Sequence, residues 1–167
     1  YYALLAPVYG ALPQDILVKL YALRWLTAGL SLMTVYIAFR CSRELFPHEA
    51  ALPYGVALLI AVLPERAMAI GRVNNDALVE VLAAALLWAA IRTHRRGLDP
   101  RRGALLGALF GLGMLAKATM GALAPILLYL LIARSPRRGI ARNALAMGAA
   151  TAALILPLVV RNLTVYG

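Results

Sequence analysis

Six apolar runs, separated by short charged segments, constrain what this chain can fold into. Each run holds 14 to 18 residues, and the only charge within them is that of Glu80 in the third run. A helix needs about 20 apolar residues to cross a hydrocarbon core of about 30 Å, so flanking residues must complete each span. Arginine side chains at the span ends can extend to the interface, which permits such short runs. The runs are 25–39, 50–64, 77–91, 103–116, 118–133 and 143–160.

The composition argues against other classes of protein. Hydrophobic residues make up 63% of the chain, charged residues make up 14%, and the mean hydropathy is +0.79, which is typical of repeated membrane spans. A soluble bundle of amphipathic helices does not fit, because the runs show no polar face. The net charge of +10 does not indicate nucleic-acid binding, since the basic residues lie between the spans and form no stripe with interleaved aromatics. The single cysteine, Cys41, excludes an internal disulfide.

The distribution of lysine and arginine predicts which loops face the cytoplasm. If the six runs are six spans, three loops on one side carry eleven of the 17 Lys and Arg residues. The positive-inside rule assigns these arginine-rich loops to the cytoplasm, and so places residues 72–76 on the opposite face. Merging 103–133 into one helix would put two arginine-rich loops on opposite sides, which argues for a helical hairpin there.

The sequence therefore predicts an all-α fold, a polytopic transmembrane helical bundle in which residues 1–167 form a single domain segment. Residues 1–22 are expected to form an interfacial helix, because Ala11–Tyr21 mixes charged and apolar side chains. Gly103, Gly107 and Gly111 form a GxxxGxxxG ridge, which lets a neighbouring helix approach closely in lipid. The six spans are expected near 24–43, 50–66, 76–92, 103–117, 119–134 and 142–160.

A polar segment between the second and third runs, Gly71-Arg72-Val73-Asn74-Asn75-Asp76, carries the first candidate site residues. Charge beside a lipid-embedded helix is costly, and such groups usually face a polar cavity with a function. Arg72, Asp76 and Glu80 are spaced four residues apart, so on a helix they would share one face. Asn74 and Asn75 lie where the third span begins, and either could cap that helix.

Two further outer segments each carry a cation, Lys117 at the tip of the hairpin and Arg161 at the end of the sixth span. Cations at a dehydrated outer cavity could bind a phosphate, while the carboxylates could bind a divalent cation or act as a base. Structural roles stay open. Asp76 could be an N-cap residue paired with Arg72, and Lys117 and Arg161 could be interfacial anchors. Glu80 could be protonated, ion-paired or part of a polar cavity.

Four segments resemble, in their order along the chain, the motifs of a known family. They are Tyr1–Gly10, Arg72–Leu78, Gly111–Thr119 and Pro157–Asn162, the last running on to a terminal Tyr-Gly pair. This order resembles the polytopic membrane glycosyltransferases of the GT-C fold, especially the family 39-like group that includes protein O-mannosyltransferases and aminoarabinose transferases. Each segment is a weak signal alone, and the ordered set is more specific.

The resemblance implies transfer of a sugar from a polyprenyl-phosphate donor to an unidentified acceptor, with inversion, on the extracytoplasmic face of a bacterial inner membrane. Asp76 resembles the second acidic position of the family, and Lys117 resembles the basic residue near the donor phosphate. The main catalytic carboxylate of the family would precede Tyr1, so a fragment that is inactive alone is expected. Together with the residues above, the expected site comprises Asp76 and Asn75 as catalytic residues and Arg72, Asn74, Lys117 and Arg161 as substrate-binding residues.

Two other functions stay open at this point. A transporter of a lipid-linked glycan or small anion would use the same cations for binding, and paired inverted repeats would indicate it. A noncatalytic membrane subunit would use the charges only to anchor helices. The expected partners are the polyprenyl-phosphate sugar donor and membrane lipids, without nucleic acid. No cofactor is specified, and a divalent metal ion with Asp76 as a ligand stays open.

Overall fold

The predicted all-α class is confirmed by a computed structural model, which describes residues 2–64 and 73–166. In these two ranges the chain forms α-helices and two 3₁₀ segments, and no strand. The α-helices are α1 (Tyr2–Ala11), α2 (Ile16–Leu45), α3 (Leu52–Ala61), α4 (Asp76–Arg96), α5 (Pro100–Ala116), α6 (Ala124–Arg134) and α7 (Ile140–Tyr166). The 3₁₀ segments are Ala118–Leu123 and Arg137–Gly139.

Three of the described helices are long and apolar enough to cross a membrane, namely α2, α4 and the continuous stretch Arg137–Tyr166 that contains α7. Much of the apolar surface of these helices is not covered by other parts of the described chain, and Leu145 in α7 is 72% exposed. Such surface is costly in water, whereas the hydrocarbon of a membrane covers it. The predicted membrane bundle is therefore confirmed as a class. The six span boundaries stay a prediction.

The chain divides into two compact units, residues 1–84 and residues 85–167. In the first unit, α2 begins at Ile16 because the side chain of Asp15 accepts a hydrogen bond of 2.8 Å from the backbone N–H of Leu17. Its 30 residues make α2 about 45 Å long, more than a hydrocarbon core of about 30 Å requires. The buried Lys19 lies with its Nζ 4.0 Å from the centre of the Tyr9 ring, which joins α1 to α2.

In the second unit, the predicted glycine ridge of α5 packs directly against the backbone of α7. A Cβ atom at Gly103 would lie 3.1 Å from the carbonyl oxygen of Asn143, and one at Gly107 would lie 2.9 Å from the carbonyl carbon of Met147. Thr151 of α7 donates a hydrogen bond of 2.9 Å to the carbonyl oxygen of Gly107. The glycines thus allow the close helix approach that their spacing predicts, and this prediction is confirmed.

These contacts also show that α5 and α7 run parallel, since later residues of α5 meet later residues of α7. Gly103 lies against Asn143, Gly107 against Met147, and Gly111 against Leu154. Between the two helices, α6 runs back, because the N–H of Leu98 donates a 2.9 Å hydrogen bond to the carbonyl of Arg134 at the end of α6. The chain therefore turns back between α5 and α6, as the predicted hairpin requires.

The helix directions gather the charges of the second unit at two ends. The termini of α4, α5, α6 and α7 that meet near Leu98 form what we call the arginine end. The C-terminal ends of α5 and α7 form the other, which we call the lysine end and which carries Lys117 and Arg161. The arginine end carries Arg92, Arg95, Arg96, Arg101, Arg102, Arg134, Arg137, Arg138 and Arg142.

Candidate functional site

Asp76 is the first residue of α4, and its neighbours hold it in place. The side-chain amide of Asn74 donates a 2.5 Å hydrogen bond to the carboxylate of Asp76. The carbonyl of Asn75 accepts the first helical hydrogen bond, at 3.1 Å, from the N–H of Val79. A carboxylate in the first turn interacts favourably with the positive end of the helix dipole. Asp76 as a residue is half-buried.

The rest of the polar segment is only partly described. Glu80 is half-buried and follows Asp76 by one helical turn, so the two carboxylates lie on one face of α4. Gly71 and Arg72 lie outside the described residues, and the predicted pairing of Arg72 with Asp76 stays a prediction.

Lys117 ends α5 and is positioned by a tight turn. It has an extended backbone conformation, its N–H donates a 2.8 Å hydrogen bond to the carbonyl of Gly113, and its own carbonyl accepts one of 3.1 Å from Met120. The Met120 side chain is buried and lies over Gly113, where a Cβ atom would come within 2.9 Å of the methionine sulfur. Small size at Gly113 therefore permits the turn that presents the exposed Lys117 side chain.

Arg161 lies at the same end of the parallel pair of helices as Lys117. Counting from Gly111 and Thr151, whose carbonyl oxygen would lie 3.2 Å from a Cβ atom at Gly111, Lys117 is six residues further along the chain and Arg161 is ten residues further along α7. At 1.5 Å per helical residue, these separations are roughly 9 Å and roughly 15 Å. Both side chains are exposed. The helix register therefore brings the two cations to the same end of the second unit.

The comparison with known proteins supplies the family. A protein-family model described as dolichyl-phosphate-mannose-protein mannosyltransferase matches residues 16–161, which is most of the chain's 167 residues. The chain belongs to this family. The predicted membership in the family 39-like membrane glycosyltransferases of GT-C type is thereby confirmed. Neither a curated protein nor a solved structure gives a significant match.

The structure distributes the predicted site of this mannosyltransferase-family chain over both compact units. Asn74, Asn75 and Asp76 belong to the first unit, where one hydrogen bond and one helix start organise them. Lys117 and Arg161 belong to the second unit, where both lie at the lysine end. The site assignment itself stays a prediction.

A metal site finds no support in the described part of this family member. Within residues 2–64 and 73–166, no group of three His, Cys, Asp or Glu side chains is placed to hold a metal ion. Asp76 has Glu80 one turn away as its neighbouring carboxylate, which makes two candidate ligands on one helix face.

Sequence reasoning missed a cluster of polar side chains at the arginine end. His94 of α4 stacks on Tyr129 of α6, and both nitrogens of its ring lie within hydrogen-bonding distance of Arg134, at 3.2 and 2.6 Å. The buried amide of Asn143 donates hydrogen bonds to the carbonyl of Leu98 at 3.0 Å and to a side chain in the α6–α7 turn. The contacts of His94 with Tyr129 and Arg134, and that of Asn143 with Leu98, join residues 35 to 45 apart, so no local pattern in the sequence signals them.

Proposed function

We propose that this chain acts in transferring a sugar from a polyprenyl-phosphate donor to an acceptor on the extracytoplasmic face of a cell inner membrane. Membership in a family of membrane glycosyltransferases favours an enzyme over a transporter or a noncatalytic subunit. The observation that carries the proposal is the parallel packing of α5 and α7. Lys117 and Arg161 then lie at the same end of the second unit, which supports a two-cation site for the donor phosphate there.

The reaction explains why cations would be needed at the lysine end. The hydroxyl oxygen of the acceptor attacks the anomeric carbon of the sugar, its proton passes to a carboxylate base, for which Asp76 is the candidate here, and the bond between that carbon and the phosphate oxygen breaks. The electron pair of the broken bond stays on the leaving phosphate, whose negative charge therefore grows in the transition state. Lys117 and Arg161 would stabilise this charge in a site of low dielectric, where such interactions are strongest. A single displacement of this kind inverts the configuration at the anomeric carbon.

Asp76 and its neighbours are proposed to serve the acceptor side. The Asn74 hydrogen bond and the start of α4 fix the carboxylate of Asp76. A fixed, half-buried carboxylate can accept a hydrogen bond from the acceptor hydroxyl, or hold a bound cation that does so. Asn75 lies beside it at the N-terminus of α4, and Arg72, outside the described residues, is proposed as a third cation for the donor phosphate.

The distribution of charge supports the proposed orientation in the membrane. Helix directions bring nine arginines of the second unit to the arginine end, whereas Lys117 and Arg161 lie at the lysine end. By the positive-inside rule, the arginine end faces the cytoplasm and the lysine end faces outward. A donor phosphate at the outer membrane surface would then meet the two cations of the lysine end.

The test is transfer of radiolabelled sugar from polyprenyl phosphate, measured in membranes that contain the protein expressed from its complete gene. We expect Lys117→Ala to lower the transfer rate about 100-fold, the usual effect of losing one charge-stabilising group. Lys117→Arg should retain most of the rate because it keeps the charge. Asp76→Asn should also lower the rate, while Arg101→Ala, an exposed change at the arginine end, serves as the control. Undiminished transfer by folded Asp76→Asn and Lys117→Ala proteins would overturn the site.

A further inference from the structure

A groove between α4 and α5, at the arginine end, has the form of a site for one lipid molecule. Its volume is about 400 Å³. Its end away from Arg96 is lined by the apolar side chains of Ala85, Ala89, Leu105 and Leu109, together with Trp88. The groove extends along α4 from Ala85 to Arg96, a length of about 16 Å, of which the apolar stretch Ala85–Ala89 takes about 6 Å. It lies entirely in the second unit, away from the lysine end and its proposed donor site.

Three arginines line the other end of the same groove, and none of the acidic side chains in the described residues lines it. Arg92 and Arg96 lie one turn apart on α4, and Arg102 faces them from the first turn of α5. The guanidinium of Arg92 lies 5.3 Å from the centre of the Trp88 ring, which directs it along the groove wall. Arg102 also lies 3.4 Å from the carboxylate of Asp99, in an ion pair beside the groove.

Helix termination accounts for only part of this arrangement. Arg102 donates hydrogen bonds to the carbonyls of Arg96 and Gly97, at 3.1 and 2.7 Å, and thus satisfies the end of α4. Cations near a helix C-terminus are also favoured by the helix dipole. Neither effect requires an apolar stretch of groove next to the arginines. A groove with an apolar end and an arginine-lined end matches part of an acyl chain joined to an anionic headgroup.

We propose that this groove binds an anionic phospholipid, with the headgroup phosphate at Arg92, Arg96 and Arg102 and one acyl chain against the apolar wall. Charge complementarity selects an anionic over a zwitterionic headgroup. A cation near an anionic lipid surface contributes roughly a fivefold preference for binding the anionic lipid, so Arg92 and Arg96 together contribute roughly a twenty-five-fold preference. The site is separate from sugar transfer and holds whether or not the proposed donor site is correct.

Trp88 in the groove wall provides a direct measurement. The chain contains two tryptophans, so a Trp25→Phe variant leaves Trp88 as its only one. This protein is reconstituted into phosphatidylcholine nanodiscs that contain a small, equal fraction of either brominated phosphatidylglycerol or brominated phosphatidylcholine with the same acyl chains. Bromine quenches tryptophan on contact. We expect the phosphatidylglycerol to quench Trp88 at a much lower mole fraction than the phosphatidylcholine does.

A matched pair of double variants separates the groove from general charge. Arg92→Gln with Arg96→Gln should abolish the preference for phosphatidylglycerol, with quenching normalised to nanodiscs without bromine. Arg95→Gln with Arg101→Gln removes the same charge from exposed positions of the same end and should preserve the preference. Equal loss in both double variants, or the absence of a preference in the parent protein, would overturn the proposal.

Two competitors distinguish the lipid from other anions. Inorganic phosphate, compared with chloride at equal ionic strength, should leave the quenching unchanged, and displacement by it would assign the site to a free anion instead. Unbrominated polyprenyl phosphate should compete no better than unbrominated phosphatidylglycerol. Stronger competition would assign the groove to the glycosyl donor and overturn the proposed phospholipid site.

Discussion

The close contact between α5 and α7 makes Gly107 the most sensitive position in the second unit, and Gly107→Ala tests it with a single methyl group. The added Cβ would lie 2.9 Å from the carbonyl carbon of Met147 and 3.0 Å from its Cα. These are backbone atoms, which cannot rotate away as a flexible side chain could. The two helices must therefore separate to admit the methyl group.

The net effect is a balance between helix propensity and packing. Alanine is favoured over glycine by about 1 kcal/mol in a helix interior. Overpacking of a tight contact costs about 1–3 kcal/mol. Separation also weakens the hydrogen bond from Thr151 to the Gly107 carbonyl, and such bonds contribute about 0.6 kcal/mol within membranes. We therefore expect Gly107→Ala to lower the free energy of unfolding by about 1–2 kcal/mol.

Gly148, which lies on α7 itself, provides the matched control. Among the described residues, no atom outside the neighbouring backbone of α7 itself lies within 4 Å of a Cβ at this position, so Gly148→Ala should raise the free energy of unfolding by up to about 1 kcal/mol. Both variants are unfolded in mixed micelles of increasing SDS fraction, and Trp88 fluorescence is followed in a Trp25→Phe background. The reasoning is refuted if Gly107→Ala is as stable as Gly148→Ala.

Two further predictions use other parts of the chain. Asn143→Ala should lower the free energy of unfolding by about 1–3 kcal/mol, because it leaves the Leu98 carbonyl without its buried amide donor. In the same SDS titration, the control Asn162→Ala, at an exposed position, should change the free energy of unfolding by less than about 0.5 kcal/mol. Topology can be tested with two proteins in a Cys41→Ala background, one with Val73→Cys and one with Arg101→Cys. The two new cysteines should react with a membrane-impermeant maleimide added on opposite sides of the membrane. Reaction of both positions from the same side would contradict the proposed orientation.

Much of the fold was accessible from local pattern alone. Uncharged runs indicate membrane helices because burying a charge in hydrocarbon is costly. This cost depends on the residue and the lipid, so it can be assessed without knowing the tertiary contacts. The spacing of Gly103, Gly107 and Gly111 likewise predicts a close helix contact, since residues four apart share a helix face. The identity of the partner, α7, did not follow, because any apolar helix could meet such a ridge.

The helix ends were less predictable than the helices themselves. Asp15 starts α2 at Ile16, so α2 includes the C-terminal part of the segment predicted as interfacial. An aspartate before an apolar run is a recognisable start signal, but it competes here with the mixed polarity of the residues that follow. The end of α5 at Lys117 depends on Met120 packing over Gly113, a contact that the sequence pattern does not show.

The sequence by itself determined the class of this protein, its membrane environment and its family, because hydropathy, charge distribution and motif order are properties of the chain read in one dimension. It also predicted Asp76, Lys117 and Arg161 as site residues, and this assignment stays a prediction. Only the tertiary structure decided that α5 and α7 run parallel and so bring Lys117 and Arg161 to one end. The packing of helices also forms the groove between α4 and α5, with a volume of about 400 Å³. Both features depend on which helix faces meet, and that is set by contacts between residues far apart in the chain.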